Sequence, residues 1–419
     1  MGKNAVIFGS GSRETCIAEA FIDYGYSVAN VTNDKDRTLV HADGAYALGD
    51  FYHYATSALE SVKQLRPETV IVQEETLLFQ GVATHLRQQG LCVFGADVSP
   101  SMLEQDKAAA REIVSKEFPA LLPKLLLTAT DPSDLSHGPL PLKYVVRRKN
   151  VESPATTVVV RNDASRRNAE ALLQNGPALV EEYVEGQQLT YYVFTDNKSV
   201  HIAPPLRTYP FRLDHEQGGK TGGMGCVAIQ EVDGPTLVKT AETVRGIAEH
   251  IVNETTQNGD RLHCFSIEVI VNEEIITYIE SDVRLGDPEI CLLKRLMEHH
   301  DLPQLILSLA SSDSMTVPRY VRTDGLSVVI APTTYPRANS GVIVDGLWTE
   351  RLKAAGGSLH LGRVKRQKDG KLKLSSSRAG VYTRSGSTLP VLRTMTYDDL
   401  EGASLPSELS FRQDIGADL

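Results

Sequence analysis

Tyr278-Ile-Glu-Ser-Asp-Val-Arg-Leu-Gly-Asp-Pro-Glu289 is the stretch on which the reading of this chain turns. Its first part alternates like a strand, and a side-chain period of two sends Glu280, Asp282 and Arg284 to one face. Two carboxylates and a guanidinium make a poor core surface, but they suit a hard divalent cation beside an anionic ligand. Gly286-Asp-Pro-Glu289 then ends the strand in a sharp turn. A preceding strand over residues 264–271, turning at Asn272, brings Glu268 to the same face. The three acids Glu268, Glu280 and Asp282 are thus candidate ligands for one or two Mg²⁺ ions bridging nucleotide phosphates. An exposed strand with solvated alternating charges would show the same alternation, without the turn that follows it.

Upstream, Gly218-Gly-Lys-Thr-Gly-Gly-Met-Gly225 has five glycines in eight residues. Such a run lets backbone N–H groups approach an anion, with Lys220 supplying charge. It is not a Walker A loop, because that motif's leading glycine falls on Asp214. Ala178-Leu-Val-Glu-Glu-Tyr-Val-Glu-Gly186 is a strand whose end offers backbone groups for an adenine edge and polar side chains for ribose hydroxyls. At the start of the chain, a strand over 5–8, the turn Gly9-Ser-Gly-Ser-Arg-Glu14, a helix to about 24 and a strand over 27–31 form a βαβ unit. Amides at that helix N-terminus bind phosphate, with Arg13 closing over it. Glu14 stands where a dinucleotide fingerprint needs its third glycine, which argues against NAD or FAD.

The fold class follows from these patterns: α/β and α+β. Further strands over 69–72 and 91–94, with a helix over 78–89, complete a parallel-sheet domain spanning 1–100. The central region, 101–316, is mixed; its small lobe, about 120–187, begins in a Pro-rich irregular stretch over 119–141. That lobe carries strands over 144–147, 156–160 and 178–184 around a helix over 164–174. From 317 to 419 short strands among Gly and Ser predict a small, mostly β domain. At 419 residues, three domains agree with a prior of about 150 residues each.

The net charge of −10 excludes a general nucleic-acid or membrane-surface role, because such binding rewards clustered Lys and Arg. The five cysteines are widely spaced and form no C-x-x-C pair, so neither a disulfide framework nor a zinc knuckle is expected. A reduced cytoplasm fits that usage. No apolar run approaches the ~20 residues of a membrane span.

In this order and spacing the segments resemble the phosphoribosylamine-glycine ligases, or glycinamide ribonucleotide synthetases, of the ATP-grasp superfamily. The resemblance spans essentially the whole chain. Val93-Phe-Gly95 with Leu103-Glu-Gln-Asp-Lys107 is similar to the segment that leads into the family's ATP-grasp region, and implies a phosphate contact for Lys107. Arg148 stands for the first of two family lysines, ahead of a loop in which this chain has Pro154. The segment 180–186 resembles the adenine hinge, implying nucleotide contacts for Glu181, Glu182, Tyr183 and Val184, with Gln188 in place of a ribose-binding acid. The resemblance further implies substrate contacts for Gly9, Gly11, Arg13, Glu14, Gly222, Gly223 and Met224, and catalytic roles for Arg284, Lys220 and Asp287.

The fold it implies is a central ATP-grasp domain between an N-terminal parallel-sheet domain and a small β-rich one. The implied activity is ATP-dependent ligation through an acyl phosphate, joining glycine to 5-phosphoribosylamine in purine synthesis. ATP and Mg²⁺ are the implied cofactors, with Mn²⁺ as a substitute, and the partners are small molecules acting on a monomer or homodimer. Ser12 and Thr15 replace a family glycine and histidine. The altered turn, with the segment over 208–216, keeps open a ligase for a different acid and amine, while the lost loop glycines and Gln188 keep open a non-catalytic ATP-grasp-like binding protein.

Overall fold

The computed structural model describes residues 3–32, 44–47, 59–136, 140–149, 157–228, 235–273, 275–311, 314–336, 341–375 and 377–419. Near the N-terminus, β1 (Asn4–Phe8), β2 (Ser27–Thr32), β3 (Gly44–Ala47), β4 (Thr69–Val72) and β5 (Val93–Phe94) form a parallel sheet in the order β3-β2-β1-β4-β5. Val6, Ile7, Val70 and Ile71 are fully buried, as continuous apolar strands covered on both faces must be. The strand order reverses between β1 and β4, so the carboxyl ends of these two strands open a crevice.

The small lobe is a four-stranded antiparallel sheet, β6 (Leu125–Ala129), β7 (Tyr144–Arg148), β8 (Thr157–Val160) and β9 (Ala178–Glu182), ordered β6-β9-β7-β8. The helix Asp163–Leu173 packs against it, and Tyr144, Val146, Ala169 and Val180 form its own core. One member was unanticipated: the stretch expected to be irregular contains β6. A strand rich in leucine at an edge needs hydrogen bonds from one side only, so the surrounding prolines do not exclude it.

The main sheet runs through β17 (Ile275–Glu280), β16 (Cys264–Asn272), β10 (Gln187–Thr195), β12 (Leu206–Thr208), β15 (Gly225–Ala228) and β18 (Asp324–Pro332), then on to the strands Gly380–Ser387 and Ser358–Leu361, while β11 (Val200–Ile202) pairs with β10 and β13 (Phe211–Leu213) with β14 (Gln217–Lys220). The C-terminal strands therefore extend the central sheet, although Trp348, Leu352, Val328 and Tyr382 gather in an apolar cluster of that region. That region also contains the helices Leu347–Ala354 and Leu389–Gly402. The 21-residue helix Pro235–Thr255 covers the central sheet through Val244, Ile247, Ala248 and Ile251. Its apolar positions share a core with Val6 and Val70 of the first sheet, which ties that sheet to the central one.

Candidate active site

Glu268 and Glu280 lie opposite one another on β16 and β17, where a register shift interrupts the ladder between Glu268 and Val269. The two carboxylates therefore leave the sheet side by side. Asp282 and Arg284 were expected to continue the strand's alternation, but the strand ends at Glu280 and a loop places them. The main-chain oxygen of Asp282 accepts from the Ser266 amide at 2.7 Å, and Arg284 Nε meets Glu104 Oε1 at 2.9 Å and Glu75 Oε2 at 3.2 Å. Asp282 Oδ2 is 3.8 Å from Arg284 Nη2. Among the described residues, Glu268, Glu280 and Asp282 do not bring three ligand oxygens within 4.8 Å of one another. The acids share a neighbourhood rather than a closed cage.

Cations from three other segments converge on Glu280. The Lys107 ammonium pairs with Glu280 Oε2 from the first turn of the helix Lys107–Ser115, and Arg147 Nη1 reaches the same oxygen at 2.6 Å from β7. Burial alone would raise the Glu280 carboxyl, yet Lys107, Arg147 and Lys220 hold it well below the usual carboxylate range. Glu268 goes the other way: burial first, then Glu280 and Asp282, push it up to about 8. Burial and the neighbouring Arg147 lower the Lys220 ammonium. A buried carboxylate raised by its like-charged neighbours favours a bound cation, and the donor set of hard oxygens fits a divalent metal that substrate phosphates also help to hold.

Above these groups an open cleft runs between the small lobe and the main sheet, lined by Val145, Arg161, Tyr183, Gln188, Phe211 and Lys220 among others. The expected hinge residues Glu181, Glu182, Tyr183 and Val184 all border it. Their side chains are partly committed, since Glu181 accepts from Arg111 Nη1 at 2.5 Å and Glu182 from the Lys124 amide at 2.9 Å. Gln188 Nε2 donates to Glu268 Oε2 at 2.8 Å, so it helps to fix a carboxylate. Arg207 Nε and Thr208 Oγ1 on the same wall are buried without hydrogen-bond partners, which is costly unless a ligand completes them.

Several expectations are corrected. Arg148 does not enter the cleft: it donates to the Asn175 carbonyl at 2.7 Å, while its neighbour Arg147 points inward, as strand alternation requires of adjacent residues. Met224 is fully buried, its amide donates to the Tyr209 carbonyl and its carbonyl accepts from Val329, so no group remains for a substrate. The turn at 9–14 does not present an open anion cradle either. The Glu14 carboxylate itself occupies that position, accepting from the Gly11 amide at 2.6 Å and from Arg13 Nε at 2.6 Å. Gly9 has a φ of +106° and packs so closely on Glu14 that a side chain there would crowd the carboxyl. Gly9, Gly11, Arg13 and Glu14 therefore position a neighbour, as Arg13 Nη1 donates to the Leu285 carbonyl at 3.0 Å. The loop carrying Pro154, expected to close over nucleotide, lies outside the described residues.

Asp287 stands between the first helix and the C-terminal region. Its Oδ2 accepts from Ser12 Oγ at 2.8 Å and faces Arg378 Nη1 at 3.3 Å, while Oδ1 is buried without a hydrogen-bond partner. Gly222 and Gly223 lie against Arg378, close enough that a β-carbon on Gly222 would contact the guanidinium. Sequence reasoning missed Arg147, which was passed over for its neighbour, and Arg378, which lies in no motif. It also missed Glu104, whose carboxyl burial pushes up to about 8 and which accepts from the Val283 amide at 3.0 Å.

Of the elements just described, β7, β16, β17, the hinge over 181–184 and the loop through Asp287 fall within the match, over residues 143–290, to the model of the phosphoribosylglycinamide synthetase ATP-grasp (A) domain. The phosphoribosylamine–glycine ligase of Corynebacterium ammoniagenes is 25% identical over 428 residues, covering 98% of this chain and 96% of the relative. That of Leifsonia xyli is 28% identical over 365 residues, covering 84% of each. Among solved structures, the phosphoribosylamine–glycine ligase of Thermotoga maritima superposes with a TM-score of 0.75 at 19% identity, covering 98% of this chain and 100% of that one. The L-amino acid ligase of Bacillus licheniformis has the same fold, with a TM-score of 0.66 at 15% identity and 98% of both chains covered. Over essentially its whole length this chain is similar to phosphoribosylamine–glycine ligases, and residues 143–290 match the model of their ATP-grasp domain.

Proposed function

We propose that this chain is an ATP-dependent carbon–nitrogen ligase that activates the carboxylate of glycine as an acyl phosphate and passes it to the amine of 5-phosphoribosylamine, in purine synthesis. One observation carries the reading: Glu268 and Glu280 face each other across β16 and β17 while Lys107, Arg147 and Lys220 converge on them beneath the cleft between the lobes. The match of the family model to these elements supports it.

Glu181 to Val184 and Gln188 border the adenosine end of the cleft, and Lys107, Arg147 and Lys220 bear on the phosphate end. Mg²⁺ held by Glu268, Glu280 and Asp282 would draw charge from the phosphates as the phosphoryl group transfers. Phosphoryl transfer asks little covalent work of the protein, so positioning and fixed charge supply most of the catalysis. The carboxylate oxygen of the acid attacks the terminal phosphorus and ADP leaves; the amine nitrogen then attacks the acyl carbon, phosphate leaves and the amine gives up a proton. Asp287 Oδ1, enclosed and without a hydrogen-bond partner, is placed to hold the ammonium of the incoming acid. Arg378, with a buried Nε lacking a hydrogen-bond partner, offers positive charge to the acidic groups of the substrates beside Gly222 and Gly223. Arg284 is surrounded by Glu75, Glu104 and Asp282, so its role is to orient that loop as well as to bear on developing negative charge.

In the division into 1–100, 101–316 and 317–419, the first segment serves the substrate through Ser12, which holds Asp287, the second takes the nucleotide and the third closes the site through Arg378. A cytoplasmic enzyme acting on small molecules as a monomer or homodimer accords with this chemistry, and no helix among the described residues is long and apolar enough to cross a membrane. The test is ADP release by purified protein with Mg²⁺-ATP, glycine and phosphoribosylamine, followed by a panel of other amino acids and amines. Turnover with glycine and phosphoribosylamine is the expected result. Turnover with another pair alone would overturn the substrate assignment, and no turnover with any pair would overturn the ligase itself.

A further inference from the structure

We propose a second, thiol-based metal site, formed by Cys16, Cys291 and His360 and suited to a soft divalent cation of the Zn²⁺ type. Three elements far apart in sequence meet there: the helix Ser12–Asp23, the helix Glu289–Leu296 and the strand Ser358–Leu361. Among the described residues it is the only group of three or more His, Cys, Asp or Glu side chains whose ligand atoms lie within 4.8 Å of one another. Both cysteines are fully buried and His360 is 2% exposed.

The imidazole supplies an independent indication. His360 Nδ1 lies 2.7 Å from Glu19 Oε2, which fixes the tautomer with the proton on Nδ1. Nε2 is buried without a hydrogen bond of ordinary geometry, and the neighbour His360 interacts with on this side is the Cys16 thiol. Leaving a buried imidazole nitrogen unsatisfied is costly, and a metal would satisfy it. A carboxylate on one nitrogen and a metal on the other is the usual outer-shell arrangement of a ligating histidine.

Tetrahedral Zn²⁺, with bonds of about 2.3 Å to sulfur and 2.0 Å to nitrogen, places its donors roughly 3.5–3.8 Å apart. The trio needs to contract by at most about 1.3 Å to reach that geometry. Two thiols and an imidazole select a softer ion than the carboxylates near Glu268 do, so the two sites sort different cations. The site also adjoins the turn that holds Asp287. Cys291 Sγ lies 3.9 Å from the Ser12 carbonyl, and the Ser12 hydroxyl is the group that holds Asp287. A metal here would pin the first helix to the loop that carries Asp287.

The experiment is a titration of chelator-treated, reduced full-length protein with Co²⁺, followed by Zn²⁺. One equivalent of Co²⁺ is expected to produce an intense thiolate-to-cobalt charge-transfer band, which carboxylate-bound Co²⁺ does not give, and Zn²⁺ is expected to abolish it. Cys16→Ser and Cys291→Ser should each remove the band. Glu19→Gln keeps all three ligands and should weaken affinity about 10- to 100-fold at unchanged stoichiometry. Folded wild type with reduced thiols and no charge-transfer band would overturn the proposal, whether or not the serine variants fold. A Cys16–Cys291 disulfide in the protein as isolated from cells, or a band that survives both serine substitutions in folded protein, would also overturn it.

Discussion

Arg147 on the small lobe and Glu280 on the main sheet meet at 2.6 Å, Nη1 to Oε2, across the cleft that separates the two lobes. The pair couples lobe position to charge: Arg147 is 5% exposed, and burial would lower its guanidinium were Glu280 and Glu181 not raising it. Nucleotide phosphates entering the cleft compete with Glu280 for the same guanidinium. Arg147→Ala should therefore lower kcat by about 10²- to 10³-fold, the usual loss for one preorganised charge in a transition state. Arg148→Ala should leave kcat unchanged and cost about 1–3 kcal/mol of stability, because it breaks the bond to the Asn175 carbonyl. ADP-release kinetics and thermal melts on both variants separate the two residues. The reverse pattern would show that the strand register had been misassigned.

Glu280 is the acid that three cations share. Glu280→Gln keeps the shape and leaves Lys107, Arg147 and Lys220 without their common partner. Turnover is expected to fall by at least about 10²-fold, with circular dichroism unchanged. The added prediction is that Mg²⁺ dependence weakens while nucleotide binding survives, since the cations now face the phosphates unopposed. A folded Gln variant with wild-type kcat would remove Glu280 from the site.

Much of this site was readable in residues 278–289, because paired acids followed by Gly-Asp-Pro have few structural uses. The first βαβ unit was readable as well, from the buried runs of β1 and β4 around a glycine turn. Other features depend on tertiary context. Whether Arg147 or Arg148 faces the cleft hangs on one step of strand register, which no local pattern declares. Glu14 resembled part of a phosphate turn, and only the folded turn shows its carboxylate occupying the anion position. The strand Leu125–Ala129 lies in a Pro-rich stretch and the helix Pro235–Thr255 follows no motif, so both escaped notice. Cys16, Cys291 and His360 belong to three distant segments, so a search for close cysteine spacing had nothing to find.

Glu289 sets a pH dependence of stability. Burial, with a smaller contribution from Asp287, pushes its carboxyl up to about 7 from a usual 4.5. Between those values the folded chain keeps a proton that the unfolded chain has released, so stability falls as pH rises through this window and levels off above it. One such proton is worth up to about 1.4 kcal/mol per pH unit. Glu104 and Glu268, each raised to about 8 chiefly by burial, act in the same direction, so the decline continues to about that pH. Melting temperatures measured from pH 5 to pH 8 should fall in wild type and fall less steeply in Glu289→Gln. Identical slopes would mean that Glu289 is ionised in the folded protein.

Gly286 is required by its neighbours. A β-carbon there would overlap the hydroxyl of Tyr192 and the Glu289 carboxylate, and the Tyr192 ring is 3% exposed with no room to retreat. Gly286→Ala should cost about 1–3 kcal/mol, the range for overpacking a tight site. It should also raise KM for the acid substrate, because the displaced backbone carries Asp287 away from Ser12. Removing the hydroxyl relieves the overlap, so Tyr192→Phe combined with Gly286→Ala should recover part of both losses, with a coupling of about 0.5–3 kcal/mol. The decisive measurement is that double-mutant cycle on stability and KM. Simple additivity would show that the crowding lies elsewhere and that Asp287 is held by Ser12 and Arg378 alone.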